Sequence, residues 1–428
     1  MMNRAPVAFV RRRPGPWESI ARAFGSAPPG FYPVDTADMV AKTHVTGEVV
    51  NNSVDLRTMS AGDRVDIPYE LTVNASFRDF WHGCFHSNDR INTSTPFARG
   101  IGFQDCLLPF SLMLFLTGSM SHADAAKVQV GFKKATYHWP AFPGDTFTRS
   151  FVIKSRRSTS DGQNSLFTFA CSLKNQRGKV VFTCDKTMLF PFPLEEKTNF
   201  EYASPEAAQP HSLRDHLISR AGGAREDDAG TITPTRGSYD DKPESHSLTA
   251  LRPGQLILHT MCRPLSSTQC MQLSSLARIT HERHFDHHTF DKNEIYIPGG
   301  LVLGLTNSAS SRDLHEVLHE DLLECSYINN LHPGDTVGAM SFVKTLEETV
   351  SGDMESLVIR TVALKNINVV EDLRGVPLPM ELFNGPVKRP KDYETICQAE
   401  CPILSNKIAA VLERRILRQA PRIQSFLL

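Results

Sequence analysis

PGDTFTRSFVIKS at residues 143–155 and PGDTVGAMSFVKT at residues 333–345 are two renderings of one pattern, a Pro-Gly-Asp-Thr turn released into a strand-forming run. Gly62-Asp63 and Gly254-Gln255 open similar runs upstream of each. Within the pairs the glycines lie 82 and 80 residues apart, and the offset between pairs is 192 and 190. A chain of 428 residues exceeds the usual size of one domain. The repeat divides it into two copies of one unit.

Working outward, each copy reads in the same order. A turn and short strand come first (61–70 and 252–261), then a helix entered through a polar cap (73–85 after Thr72; 268–277 after Ser266 and Ser267). A polar stretch comes next, and then an apolar, glycine-containing helix at 107–118 and 299–308. Strands are predicted at 128–139, 146–155, 165–173 and 179–189 in the first copy. In the second they are predicted at 320–329, 336–346, 356–364 and, more weakly patterned, 376–383. One buried helix wrapped by an antiparallel sheet is the simplest packing of that order, an α+β fold written twice.

This order sets the boundaries: an extension at 1–59, a first domain at 60–199, a linker at 200–249, a second domain at 250–385 and a tail at 386–428. Residues 200–248 carry Pro, Gly, Ser, Asp and His with little apolar periodicity, as a flexible linker does. In the tail, 393–418 is predicted helical, with Ile403, Ile408, Val411, Leu412, Ile416 and Leu417 as a stripe beside Arg414, Arg415 and Arg418.

With 46 basic and 47 acidic residues the chain carries no global field toward nucleic acid or a membrane surface. No segment approaches the ~20 apolar residues of a membrane span. The nine cysteines are odd in number and sit in apolar segments, which suits a reducing compartment, and Cys397 and Cys401 read as packing residues. Arg4, Arg11, Arg12 and Arg13 precede the first acidic residue, Glu18. That is the charge bias of a mitochondrial transit segment.

The stretch richest in chemistry is LARITHERHFDHH, residues 276–288, with His281, His284, His287 and His288. Three readings compete: a metal site, a solvated loop, and a segment carrying an acid or base. A metal would need converging neutral imidazoles, and no cysteine or carboxylate cluster completes the set. The acid-base reading draws on the neighbouring segment IYIPGGLV at 295–302, where Gly299-Gly300 opens the apolar helix. A helix start offers unpaired N–H groups to a carbonyl or enolate oxygen, and glycine lets an acyl group approach. The competing explanation is that both glycines serve close helix packing.

These residues resemble the MaoC-like double-hotdog (R)-enoyl-thioester hydratases. There an Asp or Asn stands five residues before a catalytic His, an Asp stands two after it, and a glycine-containing turn enters the central helix. HFDHH and IYIPGGLV stand here where such proteins carry HFDQH and IYGGHV. Phe97-Ala98-Arg99, Gly102-Phe103 and both Pro-Gly-Asp-Thr turns match as well, over residues 60–195 and 250–385. The resemblance implies two fused hotdog modules, no cofactor, no metal, and an acyl-CoA or acyl carrier protein thioester as partner. It implies His284 and Asp286 as catalytic residues, and N–H groups near Gly299, Gly300 and Leu301 as the oxyanion site.

The departures are as specific. The dyad's Asp or Asn position falls on Ile279, and the His usual in the turn falls on Leu301. In the first copy the offset puts Asn92 and Ser87 at the dyad positions. Thr280 and Glu282 are the polar neighbours available to position water. Three functions are compatible with this pattern: a hydratase or dehydratase of acyl thioesters with an incomplete dyad, a retired homologue serving as assembly subunit of a mitochondrial complex, or a nonenzymatic acyl-CoA binder. A homodimer is compatible with each.

Overall fold

The four repeated glycines stand where the backbone turns with positive φ: 96° at Gly62, 99° at Gly144, 84° at Gly254 and 93° at Gly334. Only glycine takes that conformation without strain, so each marks an obligatory turn. Their hydrogen bonds repeat as well. Gly144 N–H donates to Val73 O and Gly334 N–H to Leu265 O, both at 2.8 Å; Gly62 and Gly254 donate to Ile153 O and Val343 O, also at 2.8 Å.

The computed structural model describes residues 54–118, 126–194, 212–221, 249–348 and 354–421. The arginine-rich start lies outside them. The first copy runs β1 (Arg64–Asp66), β2 (Leu71–Thr72), α1 (Ala75–Cys84), α2 (Arg90–Thr93), α3 (Thr95–Gly100), α4 (Phe110–Leu116), β3 (Val128–Tyr137), β4 (Thr146–Ser158), β5 (Ser165–Asn175) and β6 (Val180–Phe190). After α5 (Leu213–Ala221), the second runs β7 (Leu256–Leu258), β8 (Arg263–Pro264), α6 (Ser267–Leu276), α7 (Gly299–Leu314), β9 (Val317–Tyr327), β10 (Thr336–Glu348), β11 (Met354–Lys365), α8 (Val369–Leu373), α9 (Pro390–Glu400) and β12 (Ile408–Gln419).

All twelve strands join one antiparallel sheet in the order β1-β4-β5-β6-β3-β9-β12-β11-β10-β7, with β2 on β4 and β8 on β10. The order is symmetric about the β3–β9 pair, where the copies meet. The described residues of both copies cluster as one compact unit, so the copies share a core rather than forming separate lobes. Along β5, Phe167, Phe169, Cys171 and Leu173 are buried, the period-two pattern of a strand with one face inward. Ser111–Leu116 of α4 is wholly buried, as is most of α7. These two central helices pack on each other in the concavity. The expectation of two fused hotdog modules is met.

The seam leaves no room for side chains at Gly131. A Cβ there would lie 2.1 Å from the backbone oxygen of Cys325 on the facing strand. Gly131→Ala must therefore push β3 off β9, and we expect it to cost about 1–3 kcal/mol, read as a lowered midpoint in urea unfolding.

Two expectations are corrected. The tail is not helical throughout: α9 covers only Pro390–Glu400, and Ile408–Gln419 is β12, between β9 and β11. Ile408, Ala409, Ala410, Val411 and Leu412 are all buried. Five consecutive buried residues need cover on both faces, which a central strand has and a one-sided helix lacks. The fourth strand of the second copy is thus β12, not 376–383. That run belongs to an excursion between β11 and β12, where Leu382 and Phe383 are buried and Phe383 stacks on Phe342 at 5.3 Å. Tyr393, Cys397 and Cys401 fill the same cluster.

The linker holds a docked helix. In α5, Leu213 and Leu217 are buried and the Arg214 guanidinium donates to Ser356 Oγ of β11 at 3.0 Å. Two leucines one turn apart are too weak a period to stand out in a polar stretch. The rest of residues 200–248 lies outside the described residues.

Candidate active site

The central helix of the second copy begins against a cavity of about 110 Å³. Gly299 and Gly300 line it with His284, His281, Arg283, Ile279 and Tyr296, while Phe115, Gln129, Lys186 and Met188 come from the first copy. Neither copy closes the site alone.

His284 ends a single 3-10 turn, Glu282–His284, capped by the side chain of His281, whose Nδ1 accepts from Arg283 N–H at 3.2 Å. His281 Nε2 in turn donates to Ala126 O of the first copy at 2.7 Å. His284 Nδ1 lies 2.8 Å from Tyr296 O. A carbonyl only accepts, so the proton sits on Nδ1 and Nε2 keeps its lone pair. Burial pushes the imidazole's pKa down to about 4 against the opposing Tyr296 bond, helped by the charges of Lys186 and Arg283. His284 is therefore neutral near pH 7, with Nε2 unprotonated.

At the start of α7, Leu301 and Val302 both give their N–H to Pro298 O, at 2.9 and 3.2 Å. The N–H groups of Gly299 and Gly300 lie ahead of any intrahelical acceptor. The glycines also serve packing. A Cβ on Gly300 would stand 2.8 Å from the Phe115 ring, and one on Gly299 2.8 Å from the Tyr327 hydroxyl oxygen. The packing explanation holds, and the same close packing brings the helix start to the cavity.

The residues singled out in sequence do not all gather here. Leu301 is fully buried in the core. Thr280 and Glu282 are exposed, away from the lining. Asp286 closes a local turn: one carboxylate oxygen accepts from His288 N–H at 2.8 Å, the other from the Thr289 hydroxyl at 2.6 Å. Those bonds hold its pKa below the usual carboxylate value. His287 and His288 are exposed, and among the described residues no group of His, Cys, Asp and Glu is placed to hold a metal. Ile279 does line the cavity, and no described lining residue is a carboxylate; Gln129, Asn329 and Asn330 are the amides. Arg149, on β4, is buried and donates to Ala277 O at 3.0 Å, and Lys133, on β3, pairs with Glu324 at 2.6 Å across the seam.

The first copy mirrors this geometry without its chemistry. Asn92 stands where His284 does and donates to Leu107 O at 3.0 Å, as His284 donates to Tyr296 O. Asp89 takes the place of His281 and accepts from Val317 N–H of the second copy at 2.9 Å. Burial raises the Asp89 pKa to about 7. One further constellation has the residue types of a catalytic triad but is closed off from the surface at two of its members. Asp313, His259 and Ser341 are linked by hydrogen bonds of 2.8 Å each, but His259 and Ser341 are fully buried. Ser341 passes the chain on to Thr361 and Arg414, binding α7 to β7, β10, β11 and β12.

Twelve antiparallel strands folded around two central helices, with a cavity between the halves, define a double hotdog fold. The structure matches a MaoC domain protein dehydratase from Chloroflexus aurantiacus at a TM-score of 0.65, with 16% identity, covering 87% of this chain and 99% of that one. A Mycobacterium tuberculosis protein with a double hotdog fold matches at 0.58, with 15% identity, covering 86% and 100%. In sequence the chain is similar to mesaconyl-CoA hydratase of Cereibacter sphaeroides, 23% identical over 321 residues that span 71% of this chain and 87% of that protein. No protein-family model matches the chain. Among the described residues no helix is long and apolar enough to cross a membrane.

Proposed function

We propose that the protein hydrates enoyl thioesters, or dehydrates β-hydroxyacyl thioesters, at the cavity between its halves. The observation that carries this is the state of His284: Nδ1 committed to Tyr296 O, Nε2 unprotonated, and the glycine start of α7 in the same cavity. In the hydration direction Nε2 takes a proton from water as its oxygen bonds to Cβ, the N–H groups of Gly299 and Gly300 hold the charge that develops on the thioester oxygen, and the imidazolium then returns the proton to Cα as the enolate collapses to the hydroxyacyl thioester. The positive lining, Lys127, Lys186 and Arg283, suits a substrate carrying phosphates, as acyl-CoA and acyl carrier protein thioesters do. The test is turnover of crotonyl-CoA and of a β-hydroxyacyl-CoA by the purified chain. Absence of turnover in both directions overturns the reading.

Ile279 favours a second reading, an acyl-thioester binder without turnover, because an isoleucine cannot orient water where a carboxylate would. The two readings part on one variant. Ile279→Asp supplies a carboxylate at the cavity wall, and if His284 works as a lone base the rate on crotonyl-CoA should rise by roughly 10²-fold. An unchanged rate, in a variant that still binds the thioester, argues for the binder. A mitochondrial location rests on the arginines ahead of Glu18 and belongs to the same proposal; cell fractionation of the tagged full chain tests it.

A further inference from the structure

The duplication supplies an internal control for one side chain. Tyr137 and Tyr327 occupy equivalent places at the ends of β3 and β9, but their hydroxyls are used differently. That of Tyr137 is tied twice, donating to Leu108 O and accepting from Ala141 N–H, both at 3.1 Å. The hydroxyl of Tyr327 is buried and makes no hydrogen bond among the described residues. The Cys325 thiol, two residues back on the same strand, stands within interaction distance, and a thiol is only a weak hydrogen-bonding group for a phenol. A buried hydroxyl left unpaired costs stability, so its retention at a cavity asks for a partner that arrives from outside.

The location says what that partner is. Tyr327 lines the same cavity as His284, and its oxygen lies against Gly299, at 2.8 Å from where a Cβ would stand. The hydroxyl and the Gly299 backbone therefore stand side by side at the cavity. In the first copy Phe110 fills the place of Gly299, its equivalent hydroxyl is consumed, and no such group of donors forms.

We propose that Tyr327 is a third donor to the thioester carbonyl oxygen, acting beside the helix-start N–H groups on the substrate assigned above; the role rests on that reading. The phenol donates a hydrogen bond and keeps its proton. As water adds at Cβ, charge collects on the carbonyl oxygen, and the bond strengthens with it. Burial raises the ionisation of the phenol well above its ordinary value, so it keeps its proton near pH 7.

The experiment uses the full chain and the dienoyl thioester sorboyl-CoA, whose ultraviolet band moves to the red as its carbonyl is polarised. Tyr327→Phe should bind it within about threefold of the wild type while losing most of the red shift. In turnover of crotonyl-CoA, kcat should fall by roughly 10²-fold with KM little changed. Its thermal midpoint should be no lower than the wild type's, since only an unpaired group is removed. Tyr137→Phe, which breaks two bonds in the silent copy, should lower that midpoint and leave the red shift intact. Equal red shifts in wild type and Tyr327→Phe, or equal losses in both variants, overturn the role while leaving the thioester reading in place. Failure of the wild-type chain to bind sorboyl-CoA at all overturns that reading, and the role with it.

Discussion

His284→Ala should lower crotonyl-CoA turnover by roughly 10²–10⁴-fold while leaving thioester binding within a fewfold of the wild type. The imidazole is the one base at the cavity with a lone pair available: His281 spends both nitrogens, one on Arg283 N–H and one on Ala126 O, and no described lining residue is a carboxylate. Binding is expected to survive because the helix start and the apolar wall from Phe115 to Met188 are untouched. The pH dependence has a definite sign. A base must be unprotonated to act, and with its pKa pushed down to about 4 the rate should rise with pH through that value and stay flat from about pH 6 to 8. Stability moves the same way. The unfolded chain protonates this histidine near its ordinary 6.5 and the fold resists until about 4, so acid costs stability between those values and alkali adds none above them. Wild-type turnover that His284→Ala leaves intact would remove His284 from the mechanism.

Arg418→Ala should destabilise the fold by about 3–5 kcal/mol, the largest effect on stability expected of a single substitution here. Arg418 is fully buried on β12, donates to Glu355 of β11 at 2.6 Å, and reaches Leu314 O at the end of α7 at 2.7 Å and Thr249 O at 2.6 Å. Truncation strands a buried carboxylate and two carbonyls together, and it is the stranded charge that makes the loss large. Arg418→Ala with Glu355→Leu should recover part of it. Urea unfolding of the three chains checks both statements, and a single variant within about 1 kcal/mol of the wild type would show that water reaches the pair.

This arginine also shows where the sequence was hard to read. Ile408, Val411, Leu412, Ile416 and Leu417 recur at helical spacing, and three arginines beside them look like a wet face. In the fold Arg414 and Arg418 are buried, each answered by partners far away in sequence: Asn307, Ser310, Glu320 and Thr361 for one, Glu355 and Leu314 for the other. Long-range pairing leaves no local signal. The turns were legible because glycine is needed there whatever surrounds it, and the strands of the first copy because β4, β5 and β6 succeed one another through short connections. In the second copy an excursion of some forty residues separates β11 from β12 and hid the last strand. At the cavity, His284 and Gly299-Gly300 were legible as motif. Tyr327 was not, though the repeat offset pairs it with Tyr137; the difference between them lies in hydrogen bonds, which composition does not record.

Ala126 O holding His281 and Val317 N–H holding Asp89 are reciprocal clasps, each copy's loop fastened to the opening of the other's first long strand. In a lineage, such clasps decide what a duplicate gene is free to become. A change in the half bearing Asn92 that moved the strand start at Ala126 would reach the histidine loop within one hydrogen bond. A change in either half is thereby felt in the other, and the half bearing Asn92 helps to hold the histidine loop where it stands.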